Sequence, residues 1–150
     1  DDKISPHQEH FLSELIKTKI YKEIERIGFK KLSKENWLLF LPKKELHDIG
    51  LLFAYLTLKM NGHNVVYLGQ NLPHSLLLSL KDKNKIDNIL FAIVSNTSKL
   101  DIKEITNFLK TNFSKSKVYT IINKKLLNEN DFQKLNTISS IDEFINLITN

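Results

Sequence analysis

The feature that most constrains this chain is a repeated alternation. Brief apolar runs, each too short for a helix, are separated by longer stretches with helical spacing. The runs are Trp37–Leu41, Val65–Leu68, Ile89–Val94, Val118–Ile122 and a weaker Asn136–Ser139. Helical patterns fill the intervals, from just after His47 to about Asn61, from Pro73 to Leu80, from Ile102 to Asn112 and from Ile141 to Ile148. Unbroken apolar runs suit strands buried on both faces, which is the condition of a parallel sheet covered by helices. Right-handed crossovers then predict a doubly wound, flavodoxin-like (Rossmann-like) α/β domain. Its five-stranded parallel sheet would have the order 2-1-3-4-5.

The beginning of the chain lies outside this alternation. Phe11, Leu12, Leu15, Ile16, Ile20, Ile24 and Ile27 recur at helical spacing. Ser5-Pro6 suits the start of that helix and Gly28 its end. The expected division is therefore residues 1–35 as the end of a helical cap-bundle module and residues 36–150 as the α/β domain. The opening Asp1–Pro6 lacks the basic flank and apolar centre of a signal peptide, and is expected to lie inside a longer protein.

Composition narrows the function classes. Cysteine is absent, which excludes disulfides, thiolate zinc sites and cysteine nucleophiles, and agrees with a cytoplasmic location. No apolar run is long enough to span a membrane. A net charge of +5 invites a nucleic-acid reading. The lysines, however, are scattered, and the only arginine, the residue best suited to forked phosphate contacts, is Arg26. We read the charge as compositional bias and expect no direct DNA contact from these residues. No G-x-S-x-G, phosphate-binding P-loop or G-x-G-x-x-G motif occurs, so hydrolysis and dinucleotide chemistry lack support.

One stretch stands out for chemistry. Glu45-x-His47-x-x-Gly50 directly follows the first strand, and in open α/β sheets ligands bind beyond the carboxyl ends of strands near the switch point. The third strand ends there too, bringing Ser95, Asn96 and Thr97, and the fourth brings Asn123. A neutral imidazole in a loop is a good ligand for cobalt, zinc or iron, and a nearby carboxylate can hold its second ring nitrogen. Gly50 permits close approach of a bulky ligand. The competing reading is plain: Glu45 and Asp48 favour a helix N-terminus electrostatically, His47 is a polar residue of the first turn, and Gly50 accommodates packing.

Context adds a resemblance. Leu41-Pro42, the acidic-x-His-x-x-Gly motif, an apolar helix ending at Gly62, and Val65–Gly69 followed by Pro73 resemble the cobalamin (vitamin B12)-binding domain. The resemblance implies His47 as the lower axial ligand of cobalt and Glu45 as its hydrogen-bond partner. It also implies Gly50 as space for the nucleotide tail, which would run between strands 1 and 3 past Asp48, Ser95, Asn96 and Thr97. Glu9-His10 looks like the Glu-His pair near the upper corrin face of MerR-type light-sensing transcription regulators.

For this chain the resemblance implies a regulatory photoreceptor domain rather than an enzyme. It would bind adenosylcobalamin and self-associate in a cofactor- or light-dependent way. Contact with DNA would come only through a helix-turn-helix head outside these residues. Two alternatives stay open: a corrinoid-carrying module of a methyltransferase or mutase, and a degenerate fold used for protein contact without cofactor. The last rests on a departure from the family's pattern. A Gly-Gly pair usually follows strand 4, and here that place reads Ile121-Ile122-Asn123-Lys124. Either Asn123 contacts the tail, or cobalamin affinity is reduced or lost.

Overall fold

The computed structural model describes residues 5–28, 34–81, 85–95, 99–122 and 136–149. Along the chain run α1 (Pro6–Ile27), β1 (Asn36–Phe40), α2 (Ile49–Met60), β2 (Asn64–Tyr67) and α3 (His74–Lys81). Then follow β3 (Asn88–Ile93), α4 (Lys99–Asn112), β4 (Lys117–Ile122), β5 (Asn136–Ile138) and α5 (Ile141–Thr149). All strand pairs are parallel and the order is β2-β1-β3-β4-β5, as the alternation of runs and helices implied.

The period of two along a strand builds two cores from one sheet. Trp37, Leu39 and Leu41 face α2 and α5, together with Leu51, Leu58 and Phe144. Leu38 and Phe40 face the other way, toward Leu77 of α3 and Ile105 and Leu109 of α4. Strand β3 is buried at every position, and all of it after Asn88 is apolar.

Four strands begin one residue before their apolar runs, at Asn36, Asn64, Asn88 and Lys117. For the three asparagines the reason is a polar row at the amino edge of the sheet. Asn36 Nδ2 donates to Asp87 Oδ2 at 2.9 Å, Asn64 Nδ2 to Asn36 Oδ1 at 3.2 Å, and Asn88 Nδ2 to Glu35 Oε2 at 2.9 Å. Their side chains are satisfied among themselves while their backbones join the ladder, a pairing that a search for apolar residues passes over.

Helix α1 forms an outer layer on α2. Lys17 Nζ meets Asp48 Oδ1 at 2.9 Å, and Lys59 Nζ donates to the Gly28 carbonyl at 3.0 Å. Those two contacts set the helices side by side in the same direction. Most of α2 is covered by the sheet and α1, which explains its apolar character nearly all round, while Gly50, Phe53 and Met60 stay exposed. Because Lys17 sits level with the start of α2, the preceding part of α1 projects beyond it by roughly 16 Å at the helical rise. Phe11, Leu12, Leu15 and Ile16 are exposed on that half. Among the described residues no helix is long and apolar enough to cross a membrane.

Candidate functional site

The loop after β1 is shaped by two residues with positive φ and by a neighbouring loop. Lys44 has φ 73° and Asn71 φ 55°, and the Lys44 N–H donates to Asn71 Oδ1 at 2.9 Å. The Glu45 N–H donates to the Pro42 carbonyl at 3.0 Å, and Gln70 Nε2 to the Leu46 carbonyl at 2.8 Å. These bonds turn Glu45 inward and leave His47 outside. Glu45 is fully buried, while the His47 side chain is 63% exposed.

The Glu45 carboxylate is surrounded by donors. Oε1 accepts from the N–H of Leu46 at 2.9 Å and of His47 at 3.0 Å, and lies 2.8 Å from His47 Nδ1. Oε2 accepts from the N–H groups of Val94 and Ser95 and from the Ser95 hydroxyl, each at 2.8 Å. Burial pushes the carboxyl up, but the bonds from Ser95 and His47 outweigh it and hold it at about 2. The group is therefore a carboxylate at neutral pH. A carboxylate only accepts, so His47 Nδ1 carries the proton and Nε2 presents its lone pair outward. That is the tautomer a metal requires, fixed by the same kind of carboxylate support that raises ligand basicity.

The bond from Ser95 joins the ends of β1 and β3 at the switch point. Asp48, at the N-cap position of α2, makes no capping bond with its side chain. It is drawn instead to Lys17, whose ammonium it holds above the usual lysine range. Glu9 and His10 lie exposed on the projecting half of α1, and no hydrogen bond joins them to the Glu45 cluster among the described residues. Asn96, Thr97 and Asn123 lie outside the described residues. So the structure brings Glu45, His47 and Ser95 together directly, sets Asp48 and Gly50 at the next turn, and leaves Glu9 and His10 apart.

Gly50 is informative for what does not explain it. The other glycines, Gly28, Gly62 and Gly69, have φ of 73°, 86° and 78° and need their freedom. Gly50 lies in the first turn of α2, outside that group, and a Cβ there would meet nothing within 4 Å. Neither backbone conformation nor packing against the described residues calls for glycine. Beside it opens an apolar cavity of about 450 Å³, walled by Ile16 and Ile20 of α1, Phe53 of α2, Ile121 and Ile122 of β4 and Phe144 of α5. The Ile121-Ile122 pair thus forms one wall and leaves open space. The Glu45 carboxylate bridges the ends of β1 and β3, and this cavity lies on the β4 and β5 side of it.

Two elements of this site escaped the sequence. Lys17 was one polar residue among many on α1, and only docking shows it facing Asp48. The role of Ile16 and Ile20 in the cavity wall was hidden in an ordinary apolar stripe.

No family model and no curated protein sequence matches the chain. Solved structures do. The monomethylamine corrinoid protein of Methanosarcina barkeri is similar with a TM-score of 0.62 at 17% identity, over 91% of this chain and 63% of that one. A chain of the methanol:cobalamin methyltransferase complex MtaBC from Methanosarcina barkeri matches with a TM-score of 0.62 at 22% identity, over 80% and 47%. A cobalamin-binding protein from Desulfitobacterium hafniense DCB-2 gives 0.62 at 17%, over 91% and 66%. The chain therefore has the fold of corrinoid-binding domains and spans about half to two thirds of these proteins' length.

Proposed function

We propose that this chain is a cobalamin-binding domain in which His47 is the lower axial ligand of cobalt, serving in a MerR-like light-responsive regulator. One observation carries the cofactor: an exposed imidazole whose proton is fixed on Nδ1 by the fully buried Glu45, leaving Nε2 free to ligate. The residues present fit the group. A single soft-to-borderline nitrogen donor suits cobalt, the cavity beside Gly50 is large and apolar, and no described residue fills the space over Gly50.

When bound, adenosylcobalamin supplies a cobalt–carbon bond that light can break. This chain's residues hold and orient. Glu45 sets the His47 tautomer, Ser95 ties the loop to β3, and Lys17 couples α1 to the residue next to His47. The projecting half of α1, with Glu9, His10 and exposed Phe11, Leu12, Leu15 and Ile16, provides the surface whose contacts respond, through differential binding to two arrangements. Self-association follows from covering that surface. DNA would be contacted by a helix-turn-helix head outside these residues, and the chain itself performs no turnover.

A second reading is favoured by the likeness to the monomethylamine corrinoid protein and the MtaBC complex: a corrinoid carrier serving a methyltransferase. His47 and Glu45 would act identically there. The test is to mix the protein with adenosylcobalamin in darkness, desalt, and record absorbance and elution volume before and after green light. Retained corrinoid that is lost or spectrally altered in His47→Ala, with a light-dependent change in size, is the expected result. Retention without any size change supports the carrier. No retained corrinoid overturns both readings and leaves a cofactor-free contact domain.

A further inference from the structure

The apolar cavity beside Gly50 is graded from wall to mouth. Its buried lining includes Ile20 of α1, Ala54 of α2, Ile138 of β5 and Phe144 of α5. None of these side chains has a hydrogen-bonding atom, and their backbones belong to helices or to the pairing of β4 with β5. The only polar side chains among the described lining residues are Ser139 and Ser140, both exposed. They cap α5: Ser140 Oγ accepts from the Glu143 N–H at 3.1 Å, and the Ser139 N–H donates to Glu143 Oε2 at 2.7 Å.

Two observations connect this cavity to the histidine. Ile49 and Gly50, which line it, directly follow the His47-Asp48 pair, and a Cβ on Gly50 would meet nothing within 4 Å. With His47 as the lower ligand of cobalt, the base that ends a cobamide's nucleotide tail is displaced and needs a place of its own. Cobamides differ in that base. Dimethylbenzimidazole carries methyl groups and one free ring nitrogen, whereas adenine carries an amino group and several ring nitrogens. A polar group moved from water into these walls loses its partners and gains none, while a methyl group gains by burial. A cavity of about 450 Å³ is within the range that holds small ligands.

We infer that this cavity, resting on the cobalamin reading, selects the lower base of the cobamide: it favours an apolar benzimidazole over a purine, and Ile20 and Ile121 help to set the choice. The chain is titrated in darkness with cobalamin, with pseudocobalamin, whose base is adenine, and with cobinamide, which has no base. Absorbance gives each Kd. The cost of lifting each base off cobalt is measured by acid titration of the free cobamides and divided out. Pseudocobalamin is then expected to bind at least about fivefold more weakly than cobalamin. Ile20→Gln, on the outer helix, and Ile121→Thr, which keeps a β-branched residue in the strand, each bring a polar partner into the cavity. Each is expected to narrow the preference by about threefold or more and to shift cobinamide less than cobalamin. A smaller wild-type preference, a preference that neither folded variant narrows, or cobinamide shifted as far as cobalamin overturns the inference and leaves the His47 reading standing. Retention of none of the three corrinoids overturns that reading, and the base selection with it.

Discussion

His47 and His63 carry the same imidazole at opposite ends of one sheet, under opposite terms. His47 is held at Nδ1 by a buried carboxylate and shows Nε2 to solvent. His63 is held at Nε2 by a backbone carbonyl and keeps Nδ1 inside the protein. At the Glu45 carboxylate the polar cost is met entirely by protein groups, since both oxygens are saturated with donors. At the amino rim it is left partly unmet, with two buried atoms, Trp37 Nε1 and His63 Nδ1, lacking partners among the described residues. The difference teaches how each end can be used. The Glu45 end aims a lone pair outward, whereas the amino end keeps its polar ring atoms inside the core.

The strongest way to break this comparison is to empty the carboxyl rim. Glu45→Ala strands six hydrogen bonds at once, and urea unfolding should show a loss of about 3–5 kcal/mol. His47→Ala should change stability by less than about 0.5 kcal/mol, because that ring is mostly in water. Equal losses for the two would mean that Glu45 exists to hold His47, not the loop.

Acid titration probes the same group more gently. The Glu45 carboxyl moves from its ordinary 4.5 down to about 2 in the folded protein. A depressed pKa adds stability that is fully present above about pH 4.5 and is lost as pH falls toward about 2; here it amounts to about 3 kcal/mol. Urea midpoints measured across that window should fall for the wild type. In Glu45→Gln the same slope should be absent, and its persistence would assign the acid sensitivity elsewhere.

The amino rim should respond less. His63→Leu removes the bond to the Ile148 carbonyl but also removes the unpaired Nδ1, so the net loss should be about 1–2 kcal/mol. A loss as large as that of Glu45→Ala would erase the contrast between the two ends.

The smallest effect has the opposite sign. Gly50→Ala should stabilise the fold by about 0.5–1 kcal/mol, since helix propensity improves and the new Cβ meets nothing. Corrinoid retention should meanwhile fall. Thermal melts beside the desalting assay decide it: a variant both more stable and fully competent would show that Gly50 keeps no space for a ligand.

Much of the architecture was legible because burial on two faces demands unbroken apolar residues, and Trp37–Leu41 and Ile89–Val94 carry that pattern openly. The positions of Glu45, His47 and Ser95 near one another were legible too, since a doubly wound sheet brings the ends of its first and third strands together. The amino ends of the strands were read one residue late, because Asn36, Asn64 and Asn88 satisfy their side chains across strands, a long-range property. His63 directly follows Gly62, the expected end of a helix, and nothing in that spacing marks its ring. Its backbone N–H does close α2 onto the Leu58 carbonyl at 3.1 Å, while its ring packs against Trp37, a contact set by sheet geometry alone.

By itself, then, the sequence determined the sheet order and the rim on which a histidine would stand, since both follow from periodicity, chain order and the handedness of crossovers. Only the tertiary structure decided which way that histidine points and which nitrogen is free. The tautomer depends on six donors converging on one buried carboxylate from loops far apart in the chain, and that convergence exists only once the sheet has formed.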